Sequence, residues 1–167
     1  IAEKSNRSTE EILNERLKDV PPGSNGLILQ PYWGPGLSRP LSRGAVIGFS
    51  DTHTKSHLYK AIIEGIDYDL RQSLEGIEKK QRQKVKSVMI SGGGSQNDTI
   101  CQIAADIFNR PTSRIQTIET TTIGVAIAGF LATGVFSDVT SAIKSMVHIS
   151  KTFYPIKENA EHYEYLY

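Results

Sequence analysis

The sequence predicts an α/β fold in which a short, mostly parallel sheet is flanked by helices. Three observations carry that prediction. Short β-prone runs alternate with helical periodicities, the pattern of a layered α/β architecture. Leu58, Ile62, Ile66 and Leu70 recur every fourth residue, with Ala61 and Ile63 widening the stripe, which marks a long amphipathic helix. Val88-Met89-Ile90 runs into Gly92-Gly93-Gly94 and then into a further amphipathic segment, a strand, glycine turn and helix in succession.

The elements follow in order. Ser8 to Leu17 reads as a helix capped by Ser8 or Thr9, with Glu10 and Glu11 in its first turn. Val20-Pro21-Pro22-Gly23 breaks it, and Leu27 to Gln30 forms a short strand. Pro31 to Gly36 is a loop that continues to Gly44, because Pro and Gly suit neither a ladder nor a helix there. Ala45 to Phe49 is a second strand. The long helix spans about Thr54 to Leu74, and close packing is the reason to place Gly65 inside it. Glu78 to Lys86 is a charged run, predicted to be a solvated connection. A strand over Val85 to Ser91 precedes a helix over Asp98 to Asn109. A strand from Arg114 to Glu119 and a helix from Thr121 to Leu131 follow. A helix capped by Ser137 or Asp138 then runs to about Ile149, ahead of a tyrosine-rich tail expected to pack against the domain.

Composition narrows the function. With 167 residues, 38% of them hydrophobic, the chain can bury one core. Lys and Arg total 19 against 18 Asp and Glu, a net charge of +1, which gives no broad electrostatic case for nucleic acid or an anionic membrane. One cysteine excludes an internal disulfide framework and points to a cytoplasmic setting. The uncharged stretch Ile123 to Phe136 is shorter than the ~20 residues a membrane span requires, so it is expected to be a buried helix.

The glycine turn is the most informative segment. Glycines let a ligand approach main-chain N–H groups, and the following helix start adds donors and partial positive charge. Asn97 is placed to cap that helix or to exchange hydrogen bonds with a ribose or base. There is no Gly-x-Gly-x-x-Gly and no Walker lysine, so the spacing alone leaves nucleotide binding and a plain tight turn both open. His53 and His57 lie four apart at a helix start, but no third metal ligand accompanies them.

Three stretches together resemble the FGGY carbohydrate kinases. Ser91-Gly92-Gly93-Gly94-Ser95-Gln96-Asn97, followed by Gln102 to Ile107 and Pro111, is similar to that family's adenosine motif. Gly44-x-Val46-x-Gly48-Phe49, followed after seven residues by His57-Leu58-x-x-Ala61-Ile62-Ile63-Glu64-Gly65, resembles its C-terminal signature. Glu119 to Ala126 resembles its Glu-x-x-x-x-Gly-x-Ala connecting helix, and the tail around Tyr154-Pro155 and Tyr163 also fits.

The resemblance implies a partial ribonuclease-H-like domain of the actin-like ATPase type. It implies transfer of the ATP γ-phosphoryl group, with Mg2+, to a hydroxyl of a sugar or polyol. By the same resemblance Gly92, Gly93, Gly94 and Asn97 belong to the adenosine site. Gly93 and Gly94 are expected to pass near the α-phosphate and ribose, and Asn97 near adenine.

Glu64 and Glu119 are expected to make structural hydrogen bonds, and Cys101 to be a small core residue. Trp33, Arg39 and Arg43 fall in the loop that borders the family's interdomain cleft. That loop is shorter than in glycerol kinases and lacks their Gly-Leu-Gly-Ala-Pro run, so it assigns no substrate. Gly124, Ala126, Ala128 and Gly129 suit close helix approach in a hinge layer.

The family's Asp-x-Gly-Thr turn, its Gly-Thr-Ser hairpin and its catalytic aspartate have no counterpart here. Residues 1–167 are therefore expected to be the later part of a kinase C-terminal domain. The start at Ile1 without Met is read as a cut inside that domain. On this reading the chain carries no catalytic residue and no metal ligand, is inactive alone, and either self-associates or sits against the remaining kinase portion. The rival expectation is a stand-alone actin-like nucleotide-binding or regulatory module without kinase activity.

Overall fold

The structure, a computed structural model, describes residues 7–34 and 39–167. Pro35 and Gly36 of the expected loop, and the opening residues, lie outside them. Helix α1 (Thr9–Arg16) begins where a capping box forms: Glu11 N–H donates to Ser8 Oγ, and Ser8 N–H donates back to the Glu11 carboxylate. Strands β1 (Ile28–Gln30) and β2 (Ala45–Ile47) pair antiparallel, Leu29 opposite Val46. Helix α2 (Lys55–Gln81) then lies against β1.

Gly65 marks that crossing. A Cβ there would stand 2.3 Å from the Leu29 carbonyl oxygen, so the close packing inferred for this glycine is what the structure contains. Leu27, Leu29 and Ala61 form the local core, with Leu58 and Ile62 against it.

The second sheet holds β3 (Val88–Ile90), β4 (Thr112–Ile115) and β5 (Ile149–Phe153), with β4 central. Helix α3 (Asp98–Phe108) is the crossover between β3 and β4, which are parallel with Val88 opposite Thr112. Cys101, Ala105 and Phe153 pack together between α3 and this sheet. Helix α4 (Thr120–Ala132) and helix α5 (Val139–Met146) pair with each other, and α6 (Lys157–Leu166) closes the chain against α3.

The α/β expectation holds, with four corrections. The strand pairings are not mostly parallel: only β3–β4 is, joined by the single crossover helix α3, while β1–β2 and β4–β5 are antiparallel, the latter pair joined through α4 and α5. Strand β5 and helix α6 occupy segments read as a helix end and a tail. The helix after Asp138 stops at Met146, where Val147 turns extended, and polar Ser150, Lys151 and Thr152 hid the strand behind it. The run from Glu78 is not a solvated connection. Helix α2 continues to Gln81, and Glu78 is buried, accepting from Lys84 Nζ, Val85 N–H and Arg110 at 2.8 Å each. Finally, α4 is not buried: no residue in it is, and Gly124 and Gly129 meet nothing within 4 Å.

Candidate functional site

The site lies at the carboxyl end of β3, the edge at which open α/β sheets receive ligands. Glu78 and Arg110 fix the approach to it. Arg110 donates through Nε to the Val85 carbonyl at 2.8 Å while paired with Glu78, so the chain entering β3 is tied to the ends of α2 and α3. Beyond Ile90 the backbone reaches Gly92 at φ +85°, a conformation that L side chains rarely adopt. Gly93 to Gln96 then forms a single 3-10 turn. Ser95 N–H and its hydroxyl both donate to the Gly92 carbonyl, at 3.1 and 2.7 Å.

The three glycines border open space. A Cβ added at Gly92 or Gly93 would meet nothing within 4 Å, and one at Gly94 would meet only the Ile100 side chain at 3.9 Å. Gly93, Gly94 and Asn97 line one cleft of about 360 Å³, whose opposite wall is α1 through Ser8, Glu10, Glu11 and Asn14. Three of the four residues expected at the adenosine site therefore share one cavity. Gly92 sits behind them as the hinge of the turn.

Asn97 caps α3. Its Oδ1 accepts from Thr99 N–H at 2.8 Å and Ile100 N–H at 3.3 Å. Two of the helix-start donors that could have met an anion are thereby taken, and Asp98 adds a negative charge in the same turn. The helix start is consequently a poor phosphate cradle, and any main-chain contact to an anion falls to the glycine turn. The Asn97 amide nitrogen has no hydrogen-bond partner among the described residues.

A second cleft, about 470 Å³, lies on the other side of the turn between Ser95, Gln96 and the end of β4. Arg114 lines it. Sequence reasoning passed over Arg114 because it placed the strand from Arg114 onward, whereas β4 begins at Thr112 directly after Pro111. A lone cation inside a four-residue strand, one crossover from the glycine turn, was the available signal. The wall formed by α1 was missed because an eight-residue helix with a weak apolar side gives no sign of what it faces.

The other singled-out residues play structural parts. Glu64 is buried and accepts from Gly23 N–H at 2.9 Å, Ser24 Oγ at 2.7 Å and Tyr163 OH at 2.7 Å, as expected of a structural carboxylate. Burial pushes its pKa up, and those three hydrogen bonds pull against that shift. Cys101 is a buried core thiol that donates to the Ser95 carbonyl. Glu119 departs from the expectation: among the described residues its carboxylate makes no hydrogen bond, and only its backbone N–H donates, to Thr117 Oγ1.

His53 Nδ1 accepts from Ser50 N–H, and His57 Nδ1 from Thr54 N–H, so each ring holds a turn. Among the described residues no group of three His, Cys, Asp or Glu side chains is placed to hold a metal ion. Nor is any described helix long and apolar enough to cross a membrane. Arg39 holds Tyr32 and Gln72, and Trp33 lies exposed in the same loop.

Comparison with known proteins gives a consistent result. The family model described as "FGGY family of carbohydrate kinases, C-terminal domain" matches residues 1–133. An uncharacterized sugar kinase of Escherichia coli, YgcE, is 33% identical over 157 residues, which is 94% of this chain and 32% of the relative. A xylulose kinase of Lactococcus lactis is 34% identical over 165 residues, 96% of this chain and 32% of the relative. The crystal structure of gluconate kinase from Lactobacillus acidophilus superposes with a TM-score of 0.78 at 25% identity, covering 95% of this chain and 32% of that one. The chain thus spans about a third of the length of the proteins it matches.

Proposed function

The chain belongs to the FGGY family of carbohydrate kinases, and from that premise we propose that it forms the adenosine side of an ATP-dependent kinase acting on a sugar or polyol hydroxyl. The observation that carries the proposal is the glycine turn at the end of β3, open on the side of a cleft that Asn97 and α1 also line.

Each residue has a part in this reading. Gly92 makes the bend. Gly93 and Gly94 let a ribose and α-phosphate approach the main chain, where a Cβ would stand in the way. Asn97 uses its oxygen for the helix and keeps its amide N–H groups for acceptor nitrogens on the adenine edge. ATP, when bound, supplies the phosphoryl group. Mg2+ arrives with its phosphates and, on this reading, is held mainly outside these residues. The aspartates near the turn are already engaged: Asp98 with Arg114 and Lys151, Asp106 with Gln102, Asn159 and Ile156 N–H. On this reading the proton-accepting base for the attacking hydroxyl comes from another part of the kinase, and residues 1–167 alone give no turnover.

The uncovered pair α4–α5 is the face on which this reading seats that other part, or failing it a second copy. Val125, Phe130, Val139 and Ile143 all stand exposed there. A cytoplasmic setting, where MgATP and reduced thiols coexist, belongs to the same reading and suits the free thiol of Cys101.

Asn97→Asp tests the assignment, because it keeps the capping oxygen and removes the amide donor. In the full kinase it should raise the ATP KM by about tenfold or less, the size of one hydrogen bond, and leave the sugar KM unchanged. A larger effect on the sugar KM than on the ATP KM would overturn the adenosine assignment.

A further inference from the structure

We infer that Arg114 is a positioning residue for nucleotide binding, acting through the back of the glycine turn; the inference rests on the adenosine reading above. Arg114 projects from β4 and does not line the cleft that Gly93, Gly94 and Asn97 share. It grips the turn from the opposite side. One guanidinium nitrogen donates to the Ser95 carbonyl at 3.0 Å and the Gln96 carbonyl at 3.2 Å, and lies 2.8 Å from Asp98 Oδ1. These three acceptors belong to the two residues before Asn97 and the one after it.

The geometry makes that grip consequential. A peptide unit is planar and trans, so fixing the oxygens of Ser95 and Gln96 fixes the two peptide planes leading into Asn97. The carboxylate of Asp98, the next residue, is held from the same side. The Asn97 side chain thus enters the cleft from a backbone clamped just before and just after it.

Little else on this side of the turn could replace the clamp. Cys101 Sγ donates weakly to the same Ser95 oxygen at 3.3 Å, and Lys151 reaches Asp98 but no carbonyl of the turn. On the glycine side a Cβ would meet nothing within 4 Å at Gly92 or Gly93 and only Ile100 at 3.9 Å at Gly94, so no side chain packs closely there. Arg114 is itself seated, its guanidinium carbon 5.6 Å from the centre of the Phe153 ring and its side chain only 23% exposed. A charged donor on two neutral carbonyls and a carboxylate forms stronger bonds than a neutral one, which suits it to restrain a segment rich in glycine.

The experiment uses the full kinase carrying this domain, with Arg114→Met, Arg114→Lys and Asp98→Asn. Initial rates are measured against ATP and against the sugar, and ADP affinity by titration calorimetry. Arg114→Met should raise the ATP KM and the ADP Kd together by about tenfold, from the loss of charge-assisted hydrogen bonds. The sugar KM should stay within about twofold. Arg114→Lys keeps the charge but stops short of the carbonyls, so it should recover part of the loss. Asp98→Asn releases one of the three contacts and should have the smallest effect.

A residue with a merely structural role would shift kcat and both KM values together, and that result overturns the inference. So does unchanged ATP KM in both Arg114 variants. Should Arg114→Met fail to fold, Arg114→Lys and Asp98→Asn carry the same test. If the unsubstituted kinase binds no adenine nucleotide, the adenosine reading falls and this inference with it. If the unsubstituted kinase binds and the Arg114 variants bind equally well, this inference alone falls.

Discussion

Helices α2 and α4 differ in what surrounds them. The first is rich in charge yet holds buried Lys60, Glu64, Asp67, Arg71 and Glu78. The second carries no charged side chain and has no buried residue, with Val125 69% exposed and Phe130 41% exposed. Hydrophobicity alone would have exchanged these two roles. Burial is decided by what packs against a helix, and in α2 Lys60, Glu64, Arg71 and Glu78 each answer to a neighbour. Lys60 donates to the Val20 carbonyl at 2.6 Å, and Arg71 to the Ile107 carbonyl at 3.0 Å. Among the described residues, α4 has little beyond α5 to pack against.

The largest test of this contrast is Glu64→Ala. It would strand Gly23 N–H, Ser24 Oγ and Tyr163 OH in a buried site. Denaturant unfolding should show a loss of about 3–5 kcal/mol. The exposed counterpart in α4, Val125→Ser, should change stability by no more than about 0.5 kcal/mol. Comparable losses at the two positions would mean that α4 is covered in the protein measured.

A pH experiment follows, somewhat smaller in effect. Asp67 is buried, one of its carboxylate oxygens has no hydrogen-bond partner among the described residues, and burial together with the nearby Glu64 raises its pKa from 3.8 to about 7. The folded state therefore holds a proton that the unfolded chain has released. The stability this provides is complete below pH 3.8, is lost as pH rises toward 7, and is gone above it. The slope is about 1.4 kcal/mol per pH unit, a few kcal/mol in all. Asp67→Asn should flatten that profile. Asp138, which caps α5, behaves oppositely: the Ser141 backbone N–H lowers its pKa, so its contribution is lost as pH falls. An unchanged stability profile in Asp67→Asn would show that Asp67 finds a partner.

These cases also show what was legible in the sequence. Periodicity located α2 and α3 because their apolar stripes meet their neighbours within this chain, and Asn97 and Ser8 announced their caps by residue type and position. The glycine turn was legible for the same reason: three glycines after an apolar strand leave few alternatives. The end of α2 was not, because Glu78, Lys79 and Lys80 look solvated until Arg110 and Val85 arrive from distant sequence. Strand β5 was hidden by polar residues facing solvent on an edge. The exposure of α4 could not be read at all, since a run of Ile, Val, Ala and Phe says what it would gain from burial and not whether anything buries it. Arg114 belongs with these, as its importance lies in two carbonyls that sequence does not display.

The smallest test uses two glycines. Gly65→Ala would drive a Cβ to 2.3 Å from the Leu29 backbone oxygen, so β1 must shift from α2 at a cost of about 1–3 kcal/mol. Gly124→Ala in α4 meets nothing within 4 Å, and removing a glycine from a helix interior should stabilise the chain by about 1 kcal/mol. The two substitutions are chemically identical, so opposite signs in thermal unfolding would isolate packing as the difference. The same pair sharpens the reading of the open face when repeated in the full kinase. If Gly124→Ala stabilises residues 1–167 but destabilises the full kinase, something stands against Gly124 there as closely as Leu29 stands against Gly65. If it stabilises both, α4 remains open at that point and the seating of the remaining kinase portion on this face must be sought further along, at Phe130 and Val139.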